Sequence, residues 1–207
     1  VLETAGWAVL DDQSKVAFEG LLENLQRAGV ILLRRADHPL VEKLEQAVVE
    51  APAITGNITP WENRWAQRNL VNLKGEFVSE RAKATLAKAE AMTPDDYRAA
   101  ILAREAAQRA HAAIGNLADA MITLSCPGPA PLWPGDIQGQ PLAPRPTGDA
   151  IFNTPSSMLF APCVTMPLMS VGGMPVGAQV MGQQHQDARV TALARWIIDE
   201  IDPVVVD

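Results

Sequence analysis

The stretch from Cys163 to Met181 constrains the fold more than any other. Cys163-Val164-Thr165-Met166 and Val176-Gly177-Ala178-Gln179-Val180-Met181 are short apolar runs that read as strands. Between them, Val171-Gly172-Gly173-Met174-Pro175 reads as a turn. Pro162 and Pro167 bracket the first run and mark where that strand is expected to begin and end. A final helix follows, with Val190, Leu193, Ala194 and Ile197 on one stripe. Strands with apolar faces must be covered by another layer, and this helix is one candidate.

The other end of the chain supplies more helices. Asp11-Asp12 is a helix-start signal, and Phe18, Leu21, Leu22 and Leu25 fall at i, i+3, i+4 and i+7. Gly29 stands where such a helix is expected to stop, and Val30-Ile31-Leu32-Leu33 reads as a short buried strand. Helix, glycine and strand make half of an α/β unit. His38-Pro39 opens a second helix with Leu40, Leu44, Ala47 and Val48 on one face. Pro52 to Pro60 reads as turn-rich, Trp61 to Leu73 as helical, and Lys74 to Glu90 as mixed and solvated.

The clearest helix begins at Thr93, which can cap it. Pro94 suits its first turn, and Asp95 and Asp96 oppose the helix dipole. Alanine dominates to Ala113, and the helix is expected to end near Gly115-Asn116. Asp119 to Leu124 is a strand candidate. Cys126 to Pro146 holds seven prolines and reads as an extended covering loop, anchored by Leu132, Trp133 and Ile137. The fold class is therefore α/β, a mixed β-sheet flanked by helices.

Composition removes several functions. A net charge of -7 with no basic cluster argues against a nucleic-acid partner. The apolar runs fall short of the roughly 20 residues a membrane span needs. Cys126 and Cys163 lie in no metal-ligand spacing, and so few cysteines point to a reducing, cytoplasmic setting. His38, His111 and His185 are isolated, so no metal site is expected.

The run TGDAIFNTPSSMLFAPCVTMPLMSVGGMPVGAQVMG, Thr147 to Gly182, resembles the C-terminal hallmark of the amidase signature family. DAMITLSCPGPAP (Asp119–Pro131) is similar to that family's strand and Pro-rich loop, and DDYRAAILAR (Asp95–Arg104) to its Asp-Tyr helix. Gly6 to Val30 resembles the segment after the family's catalytic core. The resemblance is weakest over residues 35–90. Ser156, and Leu124-Ser125-Cys126, depart from the residues many members carry there, which bears on substrate class.

The resemblance implies the second part of an α/β/α amidase domain, with residues 1–207 as the C-terminal portion of a single domain. Members hydrolyse a carboxamide with a Ser-Ser-Lys arrangement held in a glycine- and serine-rich loop, because a serine hydroxyl needs a base and the oxyanion needs aimed donors. This chain has no such loop. Its one adjacent serine pair, Ser156-Ser157, lies between Pro155 and Met158, and Lys74 lies about 80 residues earlier in a segment matching the wrong part of the family. The expectation is a chain inactive alone, with no cofactor, completed by the N-terminal part of the same enzyme or associating as a homo-oligomer. The ligand implied is a small-molecule amide. Two rivals stand beside it: a non-catalytic subunit or scaffold, and a stand-alone hydrolase using Ser156 or Ser157.

Thr147, Asp149, Phe152 and Asn153 are the candidate substrate-binding residues. Their competing roles are turn or cap for Thr147, Asp149 and Asn153, and core packing for Phe152. Phe160 is expected in the core, Arg104 in an ion pair, His111 as a core or solvated histidine, and Cys163 as inert packing. Trp61 and Trp65 are expected to pack, or to cover a pocket mouth.

Overall fold

The computed structural model describes residues 1–132 and 149–207. Thr147, Trp133 and Ile137 lie outside the described residues. Helices on both faces of a four-stranded mixed sheet make up the fold.

The first helix, α1 (Asp12–Arg27), starts where the Asp11 side chain accepts from Ser14 N, and buries Phe18, Leu21, Leu22 and Leu25. Its partner layer is the sheet. β1 (Met121–Leu124), β2 (Cys163–Val171), β3 (Met174–Met181) and β4 (Val204–Val206) lie in the order β1-β3-β2-β4. β3 runs antiparallel to β1 and β2, and β4 runs parallel to β2. Gly172 and Gly173 both have positive φ (54° and 73°), as a two-residue hairpin turn requires. Alternate residues then face opposite sides. Ile122, Leu124, Met166, Ala178 and Val180 join α1 and α7 (Asp187–Glu200) in one core. Met121 and Met181 join the second core, on the other side.

That second core is helical. α2 (Pro39–Val48) is capped by His38, whose Nδ1 accepts from Leu40 N at 3.2 Å, and buries Val41, Leu44 and Val48. α5 (Pro94–Ile114) opens with the expected cap in its reciprocal form: Asp96 N donates to Thr93 Oγ1, and Thr93 N donates to the Asp96 carboxylate. The short α6 (Thr154–Leu159) fills the gap between these helices and the sheet.

Four expectations are corrected. Pro52 to Pro60 is not a turn but the first half of one 24-residue helix, α3 (Ala51–Lys74). Pro52 occupies its first turn, where no N–H is needed. Pro60 does break one bond, leaving the carbonyl of Gly56 without its helical donor. Lys88 Nζ reaches that carbonyl at 3.4 Å. Lys88 belongs to α4 (Glu80–Ala91), a regular helix capped by Ser79 in the stretch expected to be mixed. It packs Leu86 and Ala89 inward.

Val30 to Leu33 is not a strand. It is irregular and, among the described residues, has no sheet partner, and Ile31 is 87% exposed. β2 does not stop at Pro167 but continues through it to Val171, with the register shifting between Met166 and Met169. A proline at such an irregularity removes no ladder bond.

Two buried ionisable groups mark the helical side. Glu45 is 2% exposed and its carboxylate accepts from the backbone N–H groups of Glu3 (2.5 Å) and Thr4 (2.9 Å). Burial raises its pKa against the pull of those bonds. His111 is 1% exposed, its Nε2 has no partner among the described residues, and burial lowers its pKa while a bond to the Gly182 backbone works the other way. The fold thus favours neutral histidine. Its contribution is complete above the ordinary value of 6.5 and is lost as pH falls below it, because the unfolded chain then binds the extra proton. Glu45, with a raised pKa, acts in the opposite sense. We therefore expect the stability difference between wild type and His111→Asn to shrink as pH falls from 7.5 to 5, read from urea midpoints. A difference independent of pH would mean that His111 takes up its proton as readily in the folded protein as in the unfolded chain.

Candidate active site

The six residues after the undescribed segment, Asp149 to Thr154, form a tight turn. The Asp149 carboxylate accepts from Ile151 N at 2.9 Å, and Asn153 N and Thr154 N both donate to the Ala150 carbonyl. Thr154 Oγ1 donates to Ile151 O at 3.3 Å. This turn stands against α3 and α4 across a cleft of about 670 Å³. Asp149, Ile151 and Thr154 line one side, Thr55, Gly56, Thr59 and Gln67 the other, and Thr85 projects from α4. Thr55 Oγ1 and Gln67 Oε1 are buried there without a partner among the described residues. Thr85 Oγ1 donates to Arg81 O at 2.9 Å.

Of the described candidate residues, the structure brings only Asp149 to this cleft, Thr147 lying outside them. Its competing turn role is also present, since one carboxylate oxygen holds Ile151 N. Asn153 is exposed at the N-terminus of α6, makes no side-chain cap bond, and is absent from the cleft lining. Phe152 is fully buried and takes the core role. A Cβ at Gly6 would lie 2.5 Å from its ring, so that glycine is required by the contact.

Beside the turn lies a polar knot in the sheet. Gln179 is 1% exposed, and its Nε2 donates at 2.9 Å to both Leu124 O and Phe152 O. Its Oε1 accepts from Cys163 Sγ at 2.7 Å. Cys163 is exposed as a residue, contrary to the packing expected, but its thiol points at this buried amide. Burial pushes the thiol up to about 11, so it stays protonated at neutral pH. Ser156 is 8% exposed and its Oγ donates to the Asn153 carbonyl at 2.9 Å. Among the described residues, no lysine bonds to Ser156 or Ser157. A hydroxyl spent on a carbonyl, with no base beside it, is not an activated nucleophile.

Other expectations also change. Arg104 forms no ion pair among the described residues. Its guanidinium lies 4.9 Å from the Phe160 ring centre, and Phe160 is 59% exposed, not core. Trp61 packs as expected, stacked on Tyr97 at 5.6 Å, but Trp65 is 73% exposed.

Thr55, Gln67 and Thr85 escaped the sequence reading. A signal existed: positions 52, 55, 56, 59 and 60 form one helical stripe, visible only if the prolines are admitted into a helix.

Helices on both sides of a mixed sheet, with a cleft where the Asp149–Thr154 turn meets an outer helix pair, define a class that comparison makes specific. The sequence pattern of the Amidase family matches residues 1–191, and the chain belongs to that family. A crystal structure of an amidase superposes with a TM-score of 0.75 at 25% identity, covering 93% of this chain and 43% of that one. A structure described as a vestigial protein complex, revealing the evolutionary origins of an s-triazine catabolic enzyme, gives 0.71 at 16%, covering 94% and 41%. 6-Aminohexanoate cyclic dimer hydrolase gives 0.59 at 16%, covering 92% and 42%. The last two speak for the fold alone. The chain spans less than half the length of these structures. Comparison with curated proteins found no match. No described helix is long and apolar enough to cross a membrane.

Proposed function

We propose that this chain is the C-terminal portion of an amidase that hydrolyses a small-molecule carboxamide to a carboxylate and ammonia or an amine. The carrying observation is the family match along residues 1–191 of a chain that spans 43% of a solved amidase. In this reading the serines, the lysine and the oxyanion donors lie outside these 207 residues. The present residues form the supporting sheet and one wall of the substrate cleft, with Asp149 facing the ligand.

An apolar groove supports the same reading. It measures about 600 Å³ beside the outer edge of β1, between Val30–Leu33 and α7, and is lined by Leu117, Met121, Ile122 and Trp196. β1 pairs with β3 on one side only, apart from a bond from Leu2 N to Ile122 O at 2.9 Å. A free strand edge next to exposed apolar chain is unstable in isolation. We propose that the remainder of the amidase sheet occupies this groove. Without it, the chain is expected to self-associate, and a stable monomer in sedimentation equilibrium would count against this.

The chemistry has its own test. The isolated chain is expected to hydrolyse none of a panel of aliphatic and aromatic amides, and to take up no serine-directed fluorophosphonate. Stoichiometric labelling at Ser156 or Ser157 would overturn the proposal.

A further inference from the structure

We infer that the cleft between α3, Thr85 and the Asp149–Thr154 turn binds the hydrogen-bond-donating, non-anionic end of a small molecule: a primary ammonium or a primary amide. The inference rests on the amidase reading only in taking that molecule to be the substrate.

The described polar groups of the cleft are led by a carboxylate and further acceptors, beside the Thr55 and Thr59 hydroxyls and the Gln67 amide, which can also donate. Asp149 brings a carboxylate with one oxygen engaged by Ile151 N. Thr85 and Thr154 have already spent their hydroxyl hydrogens on Arg81 O and Ile151 O, so each offers only lone pairs. Among the described residues Gln67 Oε1 is buried with no donor, and Thr55 Oγ1, which can accept or donate, is buried without a partner. A buried acceptor left unpaired costs about 1–3 kcal/mol, which a donor-bearing ligand recovers. No Lys, Arg or His is among the described residues that line it. An anion entering here would meet Asp149 without compensation. Pro52, Pro60 and Ile151 supply apolar wall for a short alkyl chain. Lys88 reaches the Gly56 carbonyl at 3.4 Å but is not itself a lining residue.

The test uses three probes of equal length on the full chain: n-butylammonium, butanamide and butanoate, followed by ligand-observed NMR titration. The ammonium and the amide are expected to bind with Kd on the order of 1 mM, and butanoate at least about tenfold more weakly. Asp149→Asn keeps the acceptor for Ile151 N and removes the charge. It is expected to weaken the ammonium about tenfold and the amide less than about twofold. Gln67→Leu is expected to weaken both, and Thr85→Val, away from the turn, provides a second reading should Asp149→Asn fail to fold. Butanoate binding as tightly as the ammonium, or lost on Lys88→Met, would overturn the inference by assigning the cleft to an anion. So would binding of all three probes unchanged in Gln67→Leu and Thr85→Val. Hydrolysis is not read, so an inactive chain that binds these probes refutes nothing here. A chain that is labelled by fluorophosphonate yet binds the probes as expected overturns only the proposal that the catalytic serines lie outside these residues.

Discussion

Phe152→Ala is expected to cost about 3–5 kcal/mol of folding stability, the range for emptying a large aromatic from a packed core. The ring is fully buried between the first segment of the chain and the sheet, and its backbone carbonyl is held by Gln179. Its neighbour Gly6 makes the effect testable beyond its size. A methyl at Gly6 would stand 2.5–2.8 Å from three ring carbons, so Gly6→Ala alone should cost about 1–3 kcal/mol by overpacking. In the double variant the new methyl enters the space the ring has left. The cost of the double variant should then fall short of the sum of the two single costs by more than about 1 kcal/mol. Urea denaturation of the four proteins of this cycle gives the coupling. Additivity within about 0.5 kcal/mol would mean that ring and glycine do not share one packing site.

Phe152 also shows what sequence could and could not tell. A phenylalanine in an Asp-x-x-Phe-Asn run, resembling a family's substrate-proximal segment, has two readings, and only its burial decides between them. Elements with a local physical cause were legible. α1 and α5 begin at residues whose side chains cap them, and their stripes follow from helical period alone. The failures needed tertiary knowledge. α3 contains Pro60, and nothing local announces that Lys88, 28 residues on, will serve the carbonyl that proline abandons. That error also hid Thr55 and Gln67, because a cleft wall built on one helical stripe disappears if the helix does. Val30–Leu33 has the apolar character of a buried strand, but a strand exists only by pairing, and this stretch has no partner among the described residues. β4 has three residues and owes its existence to Met169–Val171 alongside it.

Gln179→Leu is the second large effect, about 2–5 kcal/mol. Leucine nearly conserves the volume, so packing contributes little. The loss is polar: the carbonyls of Leu124 and Phe152 each forfeit a 2.9 Å bond inside the core, at about 1–3 kcal/mol apiece. One side chain thereby ties β1 to the turn that carries Asp149, and its removal should loosen that turn as well. Gln179→Glu separates the donor role from the shape. A carboxylate there would face two carbonyl oxygens and the Cys163 sulfur in a site 1% exposed, so its folded pKa must rise above the usual carboxylate value. A group with a raised folded pKa contributes more stability as pH falls through that value. Protonated, it can also donate to one of the two carbonyls. The deficit of Gln179→Glu relative to wild type should thus shrink between pH 7.5 and pH 5, while that of Gln179→Leu stays constant. Urea midpoints at the two pH values measure both. A Gln179→Leu protein within about 0.5 kcal/mol of wild type would show that the two carbonyls find other donors, and that the sheet does not depend on this amide to hold the turn.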